Sequence, residues 1–572
     1  MASAANTTPD LVYGEQLLRR LEANPRDGAA YDAMGVFALE HASVPEAIDL
    51  FHRAIQLEGP EPRYCAHLGE AFARLGDYGR ASACLGEAVL GEPANAELRM
   101  AYANLLHLEG DHAGAGKHYE ILVAQSPAHA EAWFNLGVTR TFQQRPGEAK
   151  HAYENAVGAR PVYAEAWNNL ALLERLDGNY SAAEACYRRA LLVRPDYRDA
   201  LYNFAVLLQE QERLPEAVSI YERLLSAEAS FSEAHNNLGN CYLKMNRLAE
   251  AKNQYLETLA IQATHKEAPW NLGFASLLSG DWQRGWAGYE HRLVQHEITR
   301  RQWDAPRWNG QLLRGQKILV HAEQGLGDTI QFARYLRLLD EGGMWVQVLC
   351  QPPLVSLLSQ MPGVRHCTSN AEECGSGDWQ VPFPSLPYHF RTRLENIPAT
   401  LPYLLADPER VAEWRKLFAA LPAAGRRIGV AWQGNPKHQN DRNRSIPVEL
   451  LRPLFELPGQ QFLSLQKGVP KASVPEELVD LSSLLLDFGE TAAAMESLDL
   501  VIAVDTSVAH LAGAMGKQVW TLLPYAPDWR WLLHRDDSPW YPSMRLFRQP
   551  IAGDWRSVVR ELRRALLDGG SD

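Results

Sequence analysis

The chain lacks most of the features that would place it in a membrane, on nucleic acid or in an oxidising compartment. Its 572 residues include seven cysteines, at 65, 84, 186, 241, 350, 367 and 374, and none is part of a Cys-x-x-Cys pair. Neither a disulfide framework nor a zinc site is signalled. No uninterrupted apolar run of about 18 residues occurs, so no membrane-spanning helix is expected. The opening residues MASAANTTPDLVYGEQ lack the basic-then-apolar order of a secretion signal, which makes the cytoplasm the expected location. Basic runs are also missing: 69 Asp and Glu outweigh 56 Lys and Arg, leaving a net charge of −13. Nonspecific nucleic-acid binding depends on many Lys and Arg contacts to phosphates, so nucleic acid is not an expected partner. Two motifs are absent as well. There is no GxxxxGK[ST] loop to cradle ATP, and no Asp-x-Asp pair to hold a divalent ion on a diphosphate. No metal and no cofactor are expected.

An apolar content of 46% over this length is enough for several cores, hence more than one domain. The first half carries a period. Gly or Ala occupies 35, 69, 103, 137, 171, 205, 239 and 273, in steps of 34. Ala fills 47, 81, 115, 149, 183, 217 and 251 in the same register, and an aromatic fills 51, 119, 153, 187, 221, 255 and 289, with Leu85 as the exception. Pro25, Pro93, Pro127, Pro161 and Pro195 close units at that step. Small residues let two helices approach, an aromatic fills the gap to the next unit, and Pro ends the second helix because it cannot continue the bonding. This pattern resembles the tetratricopeptide repeat and implies an α-helical solenoid of about eight units, over residues 1–300, with a concave face that binds protein.

Asn135, Asn169, Asn203, Asn237 and Asn271 recur at the same step, each two positions before the small residue. A line of amides, each offering donor and acceptor, can bond the backbone of an extended peptide whatever its sequence. It is similar to the asparagine ladder of the eukaryotic O-GlcNAc transferase. Equally, Asn is simply common at this place in the repeat.

The last unit departs from the pattern, with Gly285 in the Ala column, and a Trp, Pro and Gly segment, RRQWDAPRWNGQLLRG, breaks the period. From Lys317 short apolar runs alternate with helical stretches: KILVHA, WVQVLC, RRIGVAW, QFLSLQ, DLVIAVD and KQVWTLL. Such alternation predicts parallel α/β sheets with ligands at the carboxyl ends of the strands. Two lobes are expected, over residues 301–405 and 406–572, with the terminal helix DWRSVVRELRRALLD long enough to lie across both.

Three loops of this half can carry chemistry. HAEQGLGDTIQF bends sharply at Gly325 and Gly327 and places Asp328 at a helix start, followed by Gln331. Ile330 stands where a dinucleotide fingerprint has its third glycine and the next strand ends in Gln351, so a Rossmann NAD site is not supported. Asp328 is either a base or substrate contact, or a helix cap. In DLVIAVDTSVAHLAG a strand ends at Asp505, and Thr506 and Ser507 open a helix whose free amides suit a diphosphate, with His510 on the face of Ser507. The bland reading is a capped helix with a packed histidine. Between them, GNPKHQNDRNR offers Lys437, His438, Arg442 and Arg444 to neutralise a departing diphosphate, Lys437 and Arg444 being the preferred pair, and SLQKG offers Gln466 and Lys467 to the nucleotide.

Together GLGDTI and DTSVAH resemble the heptosyltransferase-like members of the GT-B glycosyltransferases, a family 9-like catalytic domain, over about residues 303–566. The resemblance implies two Rossmann-like lobes, a base at Asp328 acting on the acceptor hydroxyl, and a nucleotide sugar bound by Asp505, Thr506 and His510. Ser507 stands where lipopolysaccharide enzymes often have Gly, and Gln331 and Phe332 where they usually have a histidine. These departures leave sugar and acceptor unassigned. The expectation is therefore a metal-independent inverting glycosyltransferase acting on a protein held by the repeats, for example a flagellar or surface protein. The alternatives are a scaffold whose second half senses a nucleotide sugar, and a glycan- or lipopolysaccharide-modifying enzyme recruited by its repeats.

Overall fold

A computed structural model describes residues 9–568 apart from 42, 296–302, 324, 376, 423–424 and 438–439. His438 thus lies outside the described residues. The chain forms two compact units, Met1–Ala227 and Glu228–Asp572. No helix among the described residues is long and apolar enough to cross a membrane.

In the first unit the helix Pro9–Ala23 precedes paired helices, from Gly28–Glu40 with Val44–Glu58 through to Arg198–Glu210 with Leu214–Ala227. Caps fix their starts: Asp27, Asp77, Asn95 and Asp111 each accept the N–H three residues on. Prolines follow their ends. His112–Gln125 is capped by Ser126 before Pro127, and Pro146–Ala159 by Arg160 before Pro161. The small-residue column makes room for the aromatic column. A Cβ on Gly35 would lie 2.5 Å from the Phe51 ring, and one on Gly137 2.6 Å from Tyr153. The aromatic therefore fills the space above the small residue of its own unit as well as the gap to the next, where Phe51 meets His67 at 5.6 Å and Tyr187 meets Phe204 at 6.0 Å. Phe51, Tyr119, Tyr153, Tyr187 and Tyr221 are all buried, and each contributes a few kcal/mol through its burial, on the order of 2–3.

The second unit begins with two further pairs, Ser232–Lys244 with Leu248–Ile261 and Ala268–Leu278 with Trp282–Tyr289, then the short helix Arg292–Gln295. Ten strands follow among the described residues: β1 Lys317–His321, β2 Trp345–Leu349, β3 Val364–Thr368, β4 Trp379–Pro382, β5 Arg426–Ala431, β6 Gln460–Ser464, β7 Val479–Asp480, β8 Leu500–Val504, β9 Val519–Leu523 and β10 Met544–Arg548. They form two sheets, ordered β3-β2-β1-β4 and β10-β9-β8-β5-β6-β7. Every pairing between these strands is parallel. The sheets are α/β layers, since β8 and β9 are buried along their whole length.

One hydrophobic core runs through residues of both sheets and takes in Leu277, Leu278, Trp282 and Trp286 of the last helix pair. This shared core explains why the compact unit starts at Glu228, inside the repeats, and not near residue 300. The terminal helix Trp555–Asp568 buries Val558, Val559, Leu562 and Leu566 in a second core made with Ile428, Phe462, Leu500 and Phe547 of the second sheet. Its apolar side is thus spent on the second lobe.

Candidate functional site

Asp328 and His510 follow strands of different sheets, and the turn that carries Asp328 meets the His510 ring. Asp328 lies in the first turn of Leu326–Phe332, which follows β1, and His510 lies in Ser507–Ala514, which follows β8. A Cβ on Gly327 would sit 2.9 Å from His510 Cδ2, so the Asp328 turn and the His510 ring are in contact. Gly325 is held bare for a similar reason, because its Cβ would lie 2.6 Å from Asp328 Oδ2. The helix starts at Gly325, which has no side chain to cap it, and Asp328 stands in its first turn.

The carboxylate is held by a residue without a sequence motif. Arg530, from the loop after β9, donates through Nη2 to Asp328 Oδ1, through Nε to Gln331 Oε1 at 2.6 Å and through Nη1 to Asp528 Oδ1 at 2.7 Å. Its guanidinium lies 4.4 Å from the Trp529 ring centre. The loop carries backbone strain just beyond this point, where Leu532 takes φ 52 and ψ −172, a conformation that costs a non-glycine residue on the order of 1–3 kcal/mol. Gln331, fully buried, keeps an unpartnered Nε2. Burial raises the Asp328 proton affinity above that of an ordinary aspartate, with Arg530 opposing the shift.

On the other side of the contact, His510 Nδ1 shares a hydrogen bond with Tyr541 Oη at 3.0 Å, its ring stacks on Trp531 at 5.4 Å, and Nε2 points to Asp505 Oδ1 at 3.9 Å. Burial, then the Arg530, Arg334 and Arg444 charges, hold His510 neutral well below the usual imidazole range. Asp505 is pushed up to about 6 by burial and then by the Asp528 charge. Thr506 caps its helix by accepting from the Val508 N–H at 3.2 Å, and Ser507 stands half-buried at the first position. Arg334 braces the set, donating to the carbonyls of Gln331 at 3.0 Å and Trp540 at 3.1 Å.

The remaining sequence candidates divide. Arg444, partly buried, donates to Asp441 at 3.2 Å, and its charge acts on both Asp505 and His510. Lys437 is exposed. Gln466 is spent on the backbone: Oε1 accepts from Trp432 and Gln433 N–H at 3.0 and 2.9 Å, and Nε2 donates to the Gln433 and Lys467 carbonyls at 3.1 and 3.0 Å. It shapes the loop after β5 in place of offering a free amide, and Lys467 reaches the Leu485 carbonyl. Among the described residues no group of three or more His, Cys, Asp or Glu is placed to hold a metal ion.

The asparagine column is used between repeats. Asn135 donates to Asn104 at 3.0 Å, Asn203 to Asn168 at 3.1 Å and Asn271 to Asn236 at 2.9 Å, each across to the preceding helix pair, while Asn169 donates to Tyr153 at 3.4 Å. Asn237 is half-buried.

Residues 68–130, 130–163, 162–227 and 208–273 match models described as tetratricopeptide repeat. The helix pairs there are tetratricopeptide repeats. Protein FlbA of Caulobacter vibrioides is 27% identical over 316 residues, which make up 50% of this chain and 52% of that protein. The cytochrome c-type biogenesis protein CycH of Rhizobium meliloti is 33% identical over 119 residues, 20% of this chain and 31% of that one. The chain spans about half the length of the first of these curated relatives and less of the second. Among solved structures, YrrB, described as a TPR protein with an unusual peptide-binding site, aligns at 18% identity with TM-score 0.31 over 33% of this chain and 98% of its own. The C-terminal part of a TPR repeat-containing protein from Cytophaga hutchinsonii aligns at 16% identity with TM-score 0.37, over 42% and 98%.

Proposed function

We propose that the chain is a nucleotide-sugar-dependent glycosyltransferase of GT-B type that moves a sugar onto a protein hydroxyl, with the tetratricopeptide repeats engaging the acceptor. The observation that carries this reading is the contact of the Asp328 turn with His510, which gathers a carboxylate of raised proton affinity, a neutral imidazole, a helix start and buried arginines from two parallel sheets. In this mechanism Asp328 takes the proton of the acceptor hydroxyl while its oxygen bonds the anomeric carbon and the bond to the leaving phosphate breaks. Oδ1 is engaged by Arg530, so Oδ2 is the oxygen left for the acceptor. The departing diphosphate carries the negative charge to the positive end of the helix that starts at Ser507 and to Arg444. A metal-free course rests on the missing Asp-x-Asp motif. Repeats are more machinery than a small acceptor needs, which favours a polypeptide such as a flagellar or surface protein; the asparagine column adds little to that argument, because most of its amides bond neighbouring repeats.

The test is Asp328→Asn in the full-length chain. Transfer, read as a mass increment on co-expressed candidate acceptors, should fall by at least about a hundredfold, as for loss of a general base, while stabilisation by nucleoside diphosphates in a thermal-shift panel persists. Full cellular function in that variant, with no sugar transferred by either protein, would favour the scaffold reading, and undiminished transfer would remove Asp328 as the base. Sugar found on lipid and never on protein would favour the glycan-modifying one.

A further inference from the structure

The end of the repeat segment reaches the turn that carries Asp328. Arg292 is buried, and its guanidinium is used on every side. Nε and Nη2 donate to the two Glu323 oxygens at 2.9 and 3.4 Å, Nη1 to Glu290 at 2.6 Å and to the Tyr289 carbonyl at 3.2 Å, and Nη2 to Ser385 Oγ at 2.7 Å. Ser385 in turn donates to the second Glu290 oxygen at 2.9 Å. Glu323 belongs to the stretch between β1 and the Asp328 helix, and Ser385 follows β4, the strand paired with β1. One side chain from the repeat end thus pins both segments that flank the turn. A forked guanidinium on two carboxylate oxygens fixes direction as well as distance, which a lysine does less well.

We propose that Arg292 is a positioning residue for Asp328, so that the final repeat is a working part of the catalytic turn as well as part of the protein-binding array. The inference rests on the glycosyltransferase reading for what Asp328 does, though not for the contact itself. The charged and titratable groups that act on the Asp328 carboxyl are Arg530 and Asp528 from the loop after β9, Glu323 from its own turn, and Arg292 and Tyr289 from the repeat end. Arg292 favours the ionised carboxylate and Glu323 disfavours it, so removing each should move the titration in opposite directions. The opposite shifts place both charges at the Asp328 turn, and the change in kcat reports the placement of the carboxyl.

The experiment compares full-length wild type with Arg292→Met, Arg292→Lys and Glu323→Gln. Activity is read with whichever of a UDP-, GDP- or CMP-sugar panel the wild type turns over. The Asp328 titration is read separately as the carboxyl infrared difference between each protein and its Asp328→Asn counterpart. Arg292→Met should lower kcat about ten- to a hundredfold, the scale of a displaced catalytic group, with donor KM within about twofold. It should raise the Asp328 midpoint, Glu323→Gln should lower it, and Arg292→Lys should recover part of both losses. Unchanged kcat and midpoint in Arg292→Met overturn the proposal. So do shifts in the same direction for Arg292→Met and Glu323→Gln, or no recovery with lysine. A wild type that turns over none of the sugars counts against the glycosyltransferase reading alone, and the infrared arm then decides the Arg292 contact by itself.

Discussion

At Gly327 a single methyl group separates a site that assembles from one that does not. The His510 ring that an alanine Cβ would strike at 2.9 Å is buried, stacked on Trp531 and bonded to Tyr541, so it has nowhere to go. Gly327→Ala should therefore cost on the order of 1–3 kcal/mol, as overpacking does, and should lower transfer more than nucleoside diphosphate binding; thermal unfolding and steady-state kinetics read the two. Asp505 gives a pH-dependent prediction. Its proton affinity is raised from 3.8 to about 6 in the folded state, so the stability this group contributes is fully present below pH 3.8 and is lost as pH rises through about 6. Asp505→Asn should accordingly stabilise the protein at pH 8, by roughly 2–3 kcal/mol at most given about 1.4 kcal/mol per unit, and should have little effect near pH 4. Denaturant melts at the two pH values test the sign, and equal effects at both would show that Asp505 is not held against its charge. Gly327, Asp328, Asp505 and His510 were legible because motifs mark them. Arg530, which grips Asp328, was not, because a buried arginine in PYAPDWRWLL reads in sequence like any loop cation and becomes a partner only when the two sheets fold together. Gln466 shows the reverse case, a polar residue at a strand end that looked free and is consumed by its own backbone.

Among elements, the helix Trp282–Tyr289 changes most between sequence and structure. Its Gly285 looks like decay of the repeat, yet the glycines of this pair permit backbone contact: a Cβ on Gly288 would lie 2.5 Å from Gly273 Cα, and one on Gly273 2.6 Å from the Gly288 carbonyl carbon. Backbone cannot rotate aside as a ring can, so Gly273→Ala should destabilise more than Gly86→Ala, whose Cβ would meet the Tyr102 hydroxyl at 3.3 Å. The two tryptophans of the helix face the Arg530 loop. Trp282 stacks on Trp540 at 5.2 Å, and Trp286 meets Trp529 edge-on at 5.1 Å while donating to the Thr392 carbonyl at 2.9 Å. Trp286→Ala should cost about 3–5 kcal/mol, and Trp286→Phe less, leaving mainly the lost hydrogen bond; chemical denaturation of the two variants separates ring from bond. Strands show the same divide in legibility. The apolar runs of the sequence form β1, β2, β5, β6, β8 and β9. By contrast β3, β4, β7 and β10 are not legible, because VRHCT, WQVP, VD and MRLFR are too short or too polar to stand out from loops.

For the whole molecule, a 34-residue period locates every helix pair but does not say where one cooperative unit stops. The period runs to the Trp282–Tyr289 helix, which suggests a cut near residue 300, whereas the compact unit begins at Glu228. The physical reason is that the last two pairs carry side chains addressed to the sheets. Asn246 donates to the Tyr525 carbonyl at 2.7 Å, Trp282 and Trp286 fill the shared core, and Arg292 pins Glu323. A fragment spanning 301–572 would uncover the Trp529 and Trp540 rings, which are 1% exposed in the intact chain, and would lose the Arg292 side chain that ties Glu323 to Ser385, a combination that leaves apolar surface bare and the Asp328 turn without its brace. A fragment spanning 228–572 keeps all of these partners. The longer fragment should therefore be soluble, unfold in one transition and bind nucleoside diphosphates, and the shorter one should aggregate or expose dye-binding apolar surface. Calorimetry with dye binding on the two fragments decides the matter, and a well-folded 301–572 fragment would mean that the terminal repeats rest on the sheets without completing them.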